Sequence, residues 1–199
     1  SSLDSHRVER WYPDHSDMGH KMMEALKEAL KLNLGARDRP IPGFKSVDCE
    51  AHPGVDFVRD ASDLSIFEDG SVSEIYSSHI LEHFPHTNTL AVLKEWHRVL
   101  EPGGILYVAV PDFKKVLEQY EEYGLTDWHI NWIFGDQEYK TAFHYTAFDF
   151  KRLSDLLHDA GFSESSQVEF FPIEGLNDCS MLVNTLTREP VSLNVIAVK

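Results

Sequence analysis

Two cysteines, Cys49 and Cys179, are all that the 199 residues contain. A chain of this length buries a full core without a disulfide, so two reduced, partly buried thiols in a cytoplasmic protein are the plainer reading. No apolar run approaches the roughly 18 residues of a membrane-spanning helix, and no membrane insertion is expected. Nor does a positive, apolar, small-residue start mark a secretory signal. Bases are scarce: 18 Lys and Arg stand against 33 Asp and Glu, a formal net charge of -15. Most of the excess follows residue 60, where 22 acids meet 9 bases, against 11 and 9 before it. Such a field repels phosphodiester backbones and no basic stripe offsets it, so no nucleic acid partner is expected. A GxG triplet is missing as well, which makes a nicotinamide dinucleotide a poor expectation.

What is present centres on Leu64 to Val110. Glu68-Asp69-Gly70-Ser71 is a turn cluster, and the β-formers after it predict a strand over 72–77. Pro85 stops any helix begun at Ile80. Leu90, Leu93, Trp96, Val99 and Leu100 recur at helical spacing and predict a helix over 87–100. Pro102-Gly103-Gly104 breaks it, and 105–110 reads as a strand covered on both faces. Strand, helix and strand joined this closely make a βαβ unit of an α/β fold. In open parallel sheets the ligand crevice lies beyond the carboxyl ends of the strands. Ser77, Ser78 and His79 fall there, beside Pro111-Asp112.

The rest of the chain feeds the same edge. Residues 1–15 read as an N-terminal arm of a single domain, and a helix is predicted from Ser16 or Asp17 to about Leu30, with Met22, Met23, Leu26 and Leu30 as its stripe. Strands predicted over 31–34, 45–47 and 56–59 end at Gly35, Asp48 and Asp60. The ten residues GARDRPIPGF are too few and too broken for a crossover helix. A helix over 113–123 is expected to turn Val116, Leu117 and Tyr120 inward. Residues 124–147 are aromatic and irregular, suited to a lid or substrate wall, and equally to burial in a homodimer. A helix over 148–160 stops at Gly161, and 166–171 and 191–198 read as an antiparallel pair closing the sheet.

Histidines carry the remaining chemistry. His79-Ile80-Leu81-Glu82-His83 fits the H-x-x-E-H pattern of inverted zinc peptidases. That chemistry needs both histidines on one helical face, and Pro85 leaves less than two turns, so no metal is expected. A stabilised turn with one functional imidazole is the better reading. His144, inside the aromatic segment, is a candidate proton acceptor, since an unperturbed imidazole titrates near about 6.5.

Leu32 to Gly35, Pro42-Gly43-Phe44, Val47-Asp48, Gly54-Val55-Asp56, Asp60, Ser71-Val72, Ile75-Tyr76, Ser78-His79, Leu81-Glu82-His83, Arg98-Val99-Leu100, Pro102-Gly103-Gly104 and Val110-Pro111-Asp112 together resemble a branch of the S-adenosylmethionine-dependent methyltransferases. This is the class I, Rossmann-like, type 11-like branch. The resemblance continues through Gly135, Gln137, His144, Ala160-Gly161-Phe162, Asp178 and Ser192-Leu193-Asn194. It implies a three-layer sandwich around a mostly parallel seven-stranded sheet with an antiparallel C-terminal strand. It also implies S-adenosyl-L-methionine as cofactor and methyl transfer to a small molecule or sugar-containing acceptor; some members are encoded with glycan-modification genes.

Carried onto this chain, Gly35 would line the methionine part of the cofactor and Asp48 would hold the ribose. Asp60, helped by Ala61, would contact the adenine, and Ser77, Ser78 and His79 would border the sulfonium and the acceptor entrance. His79 and His144, then Glu82, are the candidate bases for an acceptor that must lose a proton. The chain departs from the family's LNLGCG at Ala36-Arg37. Arg37 stands where the second glycine is usual, a position of close backbone approach. It would either block the site or swing outward and pair with the cofactor carboxylate or with acidic groups. The alternative function is therefore a non-catalytic, methyltransferase-like binding module with a blocked or altered cofactor site.

Overall fold

The computed structural model describes residues 29–183 and 190–199. The arm expected over 1–15 and the Met-striped helix lie outside these residues, except that Leu30 opens the first strand.

Seven strands form one sheet: β1 (Leu30–Leu34), β2 (Lys45–Asp48), β3 (Phe57–Val58), β4 (Val72–Ser78), β5 (Leu100–Pro111), β6 (Glu164–Val168) and β7 (Ser192–Val198). Their order is β3-β2-β1-β4-β5-β7-β6. Pairing is parallel from β3 through β5, and β7 runs antiparallel to both β5 and β6. The chain moves outward from β1 to β3 and then restarts with β4 on the other side of β1. That reversal opens a crevice at the carboxyl ends of β1 and β4.

Among the described residues, four α-helices accompany the sheet: α1 (Thr89–Val99), α2 (Phe113–Tyr123), α3 (Asp127–Phe134) and α4 (Phe150–Ala160). α1 packs on α4 over one face of the sheet. Leu106, Val108 and Val110 of β5 point into that face with Leu93, Trp96, Leu153 and Leu157, while Tyr107 and Ala109 point into the other. Period-two alternation with both sides buried is why β5 reads as an unbroken apolar run. Ile41, Phe44, Phe171, Ile173 and Leu176 cover the second face. They come from the loop after β1 and the segment after β6, so the missing crossover helix is replaced by irregular chain.

Arg98 ties α1 to the loop ahead of β4. It grips both oxygens of Glu95 at 2.8 Å, meets Asp69 at 2.6 Å and donates to the carbonyls of Phe67 and Leu64. The buried Trp96 donates its indole N–H to the Ala61 carbonyl at 2.8 Å. The turn carrying Asp60 and Ala61 is thereby fixed to the core.

Some local expectations change. β5 begins at Leu100 and incorporates Pro102-Gly103-Gly104 as an irregularity: Val72 pairs with Leu100 but Glu74 with Ile105. Gly104 has to be glycine there, because a Cβ would stand 2.9 Å from the Glu101 carbonyl oxygen. On α2 only Val116 is buried; Leu117 and Tyr120 are about half exposed, because α2 sits at the rim and packs on α3. The segment 124–147 is not irregular throughout. Thr126 and His129 cap α3, the Thr126 amide donating to His129 Nδ1 at 3.1 Å, and Gly135 ends the helix with φ 79°. Cys49 is exposed rather than partly buried, and both thiols are free.

Candidate functional site

A cavity of about 510 Å³ opens at the crevice. Gly35, Arg37, Asp48, Asp60, Ala61, Ser78 and His79 line it together with Tyr139 and Asp178. Four strand ends and two later segments therefore meet at one place.

The first wall follows β1 and β2. Gly35 holds φ 69° and donates to the Val47 carbonyl at 2.8 Å. A Cβ at this position would overlap the Ile80 side chain, so both the dihedral and the space require glycine. Asp48 accepts the Arg37 amide on Oδ2 at 2.8 Å and the Glu50 amide on Oδ1 at 2.9 Å. Each carboxylate oxygen keeps a lone pair for another donor. Asp60 uses Oδ1 on the Ser62 amide and hydroxyl at 2.8 and 2.6 Å, which fixes the turn and leaves Oδ2 for a ligand. Partial desolvation, with the charges of Asp48, Glu50 and Asp60 added, pushes the thiol of Cys49 up, so it is a poor nucleophile.

Arg37 adopts φ 46°, the left-handed conformation that a glycine would take. Its guanidinium does not close the crevice. It donates to the Tyr139 hydroxyl at 2.5 Å and lies 5.1 Å from the centre of that ring. The atypical residue thus meets the aromatic segment and leaves Asp48 and Asp60 on an open cavity.

The second wall follows β4 and β7. Tyr76 donates to Asp178 at 2.6 Å, and burial together with that carboxylate pushes the phenol far above its ordinary range. Ser77 is fully buried and does not reach the cavity, whereas Ser78 does. This corrects the expected trio, since successive strand residues face opposite sides. Asp112 caps α2 through the Lys114 amide at 3.0 Å, and burial raises its carboxyl.

The histidines are arranged otherwise than the sequence led us to expect. His79 has φ 55° and both ring nitrogens engaged: Nε2 is 2.8 Å from Ser192 Oγ, and Nδ1 is 3.2 Å from Glu82 Oε1. Glu82 is completely buried in a short 3-10 turn, Leu81–His83. Burial raises its carboxyl, but the His79 imidazole beside it, with His83 and His144, outweighs that effect and holds it below the usual range. His144 donates to the Trp132 carbonyl at 3.0 Å and packs against His83, with ring centres 4.8 Å apart. Burial lowers its pKa despite the neighbouring Glu82. Neither Glu82 nor His144 is among the residues that line the cavity. His83 does line it, with Nδ1 bonded to the Phe143 carbonyl at 2.9 Å. Tyr139, Asp178 and His83 are the site residues that sequence reasoning passed over. The turn His79-Ile80-Leu81-Glu82-His83 contained the signal for His83, but nothing local indicated which nitrogen would stay free.

Residues 17–108 match the family described as a methyltransferase domain. This match spans a little under half of the chain, and the sheet order with its antiparallel β7 is the Rossmann-like fold of class I methyltransferases. Solved structures agree with this fold at low identity. A SAM-dependent methyltransferase from Methanosarcina mazei is 20% identical, with 90% of this chain and 96% of that one covered and a TM-score of 0.56. One from Thermotoga maritima is 19% identical, with 90% and 86% covered and a TM-score of 0.54. The 1,6-didemethyltoxoflavin-N1-methyltransferase of Burkholderia thailandensis, solved with S-adenosylhomocysteine, is 16% identical, with 93% and 74% covered and a TM-score of 0.53. No curated protein matches this sequence. Among the described residues, no helix is long and apolar enough to cross a membrane.

Proposed function

We propose that the protein transfers the methyl group of S-adenosyl-L-methionine to a small molecule, with a sugar-containing acceptor as the narrower reading. The observation that carries this is the open cavity shared by Gly35, Asp48 and Asp60, with Arg37 committed to Tyr139. The residues present fit the cofactor. Asp48, at the end of β2, would accept the ribose hydroxyls, Asp60 Oδ2 and the Ala61 backbone would meet the adenine, and Gly35 would let the amino-acid end approach the backbone. When bound, the cofactor supplies an electrophilic methyl carbon. The chain's own task is then placement: the acceptor atom has to lie in line with the methyl and the sulfur. Ser78, Phe143 and Tyr145 border the space where it would sit. For an acceptor that loses a proton, His83 is the imidazole it would meet at the cavity wall, because His79 is engaged on both sides. Methyl transfer to glycans is consistent with Asp136, Asp178 and Tyr139 around the cavity, which offer hydroxyl-binding groups.

Calorimetric titration with S-adenosylmethionine and S-adenosylhomocysteine tests this. Micromolar binding by the native chain is expected. Asp48→Ala removes hydrogen bonds to a charged acceptor worth about 1.5–3 kcal/mol, or roughly 10- to 150-fold in affinity. Absence of native binding, with binding gained in Arg37→Gly, would instead identify a non-catalytic module whose cofactor site is closed.

A further inference from the structure

Glu82 has no exposed surface, and neither carboxylate oxygen has an aligned hydrogen-bond donor among the described residues. A carboxylate placed this way needs a compensating cation. The surrounding imidazoles do not readily provide one. The carbonyls of Phe143 and Trp132 only accept, so the Nδ1 atoms of His83 and His144 carry the protons, at 2.9 and 3.0 Å. In the neutral rings both Nε2 atoms are therefore lone pairs. Ser192 Oγ donates to the Cys179 carbonyl at 2.7 Å, so it accepts from His79 Nε2. That leaves His79 Nδ1, 3.2 Å from Glu82, as a lone pair too when its ring is neutral. With all three rings neutral, lone pairs and a carboxylate face one another with no donor between them.

We propose that Glu82, His83 and His144 bind a divalent transition-metal ion through one carboxylate oxygen and two imidazole nitrogens. Their ligand atoms all lie within 4.8 Å of one another, and His144 Nε2 is 4.0 Å from Glu82 Oε1. An ion such as Zn²⁺, with bonds of about 2.1 Å, sets tetrahedral donors about 3.4 Å apart, so the side chains have to close by on the order of 1 Å. Backbone carbonyls on both Nδ1 protons fix the tautomer and aim the other nitrogen, as supporting groups do around metal-binding imidazoles. Two nitrogens and one carboxylate suit zinc, iron or nickel better than magnesium or calcium. This is not the pattern set aside in the sequence. The ligand pair is His83 with His144, from a distant segment of the chain, and not His79 with His83 on one helix.

His83 lines the cavity, so a coordination position left open by three protein ligands would face it and take a water or an acceptor oxygen. The part played by an acceptor oxygen rests on the methyl-transfer reading; the metal site does not.

The test uses the full chain, stripped with chelator and titrated with Zn²⁺ by calorimetry and with Co²⁺ by visible absorption. One ion per chain is expected, with affinity at least about tenfold weaker in Glu82→Gln, His83→Ala and His144→Ala. Asp48→Ala is expected to bind the ion as the native chain does, which separates failure of this site from failure of the cofactor reading. Nitrogen-15 NMR of the native histidines covers variants that do not fold: Zn²⁺ is expected to move the Nε2 resonances of His83 and His144 while their Nδ1 protons persist. No saturable binding, or binding that leaves those resonances in place, overturns the site and leaves a proton between His79 and Glu82 as the balancing charge.

Discussion

The two sides of the cavity are finished to different degrees. Along β1 and β2 the polar groups are prepared by the backbone: Asp48 holds two amides, and Asp60 holds the Ser62 amide and hydroxyl. Along the turn after β4, Glu82 is buried without an aligned donor while imidazole nitrogens converge on it. The first wall is a pre-organised acceptor surface that needs only a ligand's hydroxyl or amino donors. The second is an electrostatic gap whose state depends on a cation. Both stand on one rigid sheet, so the contrast lies in the loops.

The largest expected effect breaks the support of the first wall. Trp96 fills the core between sheet and α4, and its indole satisfies the Ala61 carbonyl. Trp96→Ala is expected to cost about 3–5 kcal/mol in denaturant unfolding, a cavity loss with an orphaned carbonyl added. Trp96→Phe, which keeps most of the volume, should cost less and weaken cofactor binding through the Asp60–Ala61 turn. Equal stability in Trp96→Ala and the native chain would remove the claim that the core holds this turn.

Acid should act on the second wall next. The folded pKa of His144 lies below its ordinary 6.5 and that of Glu82 below 4.5. In both cases the unfolded chain takes the proton first, so stability is present above the ordinary value and is lost as pH falls through the folded one. Thermal melts are expected to fall first below pH 6.5, through His144, and again below 4.5, through Glu82. His144→Gln should flatten the first step and leave the second. A first step unchanged in that variant would assign it to another group.

Arg37→Gly gives the smallest effect. Relief of a left-handed non-glycine residue gains about 1 kcal/mol, and loss of the guanidinium over Tyr139 costs about 0.5–1 kcal/mol. Unfolding free energies should therefore agree within about 1 kcal/mol, and a much larger change would show that the Arg37–Tyr139 contact organises the segment.

What the sequence made legible was whatever local pattern carries. Breakers and periodicity placed β4, α1 and β5, and short strands delivered Gly35, Asp48 and Asp60 to one edge. What it concealed depends on distant chain or on backbone atoms. α3 was hidden because its cap uses His129, a residue with little capping preference, inside an aromatic run. The free nitrogens of His83 and His144 depend on carbonyls of Phe143 and Trp132, and a carbonyl is the same in every residue type. The outward course of Arg37 depends on Tyr139, 102 positions away. Ser77 and Ser78 could not be told apart until the register of β4 against β1 and β5 fixed which of them faced the cavity.

The most direct measurement is a crystal structure of the chain with S-adenosylhomocysteine. The account expects the ribose on Asp48, the adenine beside Asp60 and Ala61, and Arg37 still against Tyr139. An Arg37 guanidinium lying over Gly35, with the ligand absent or bound elsewhere, would contradict it.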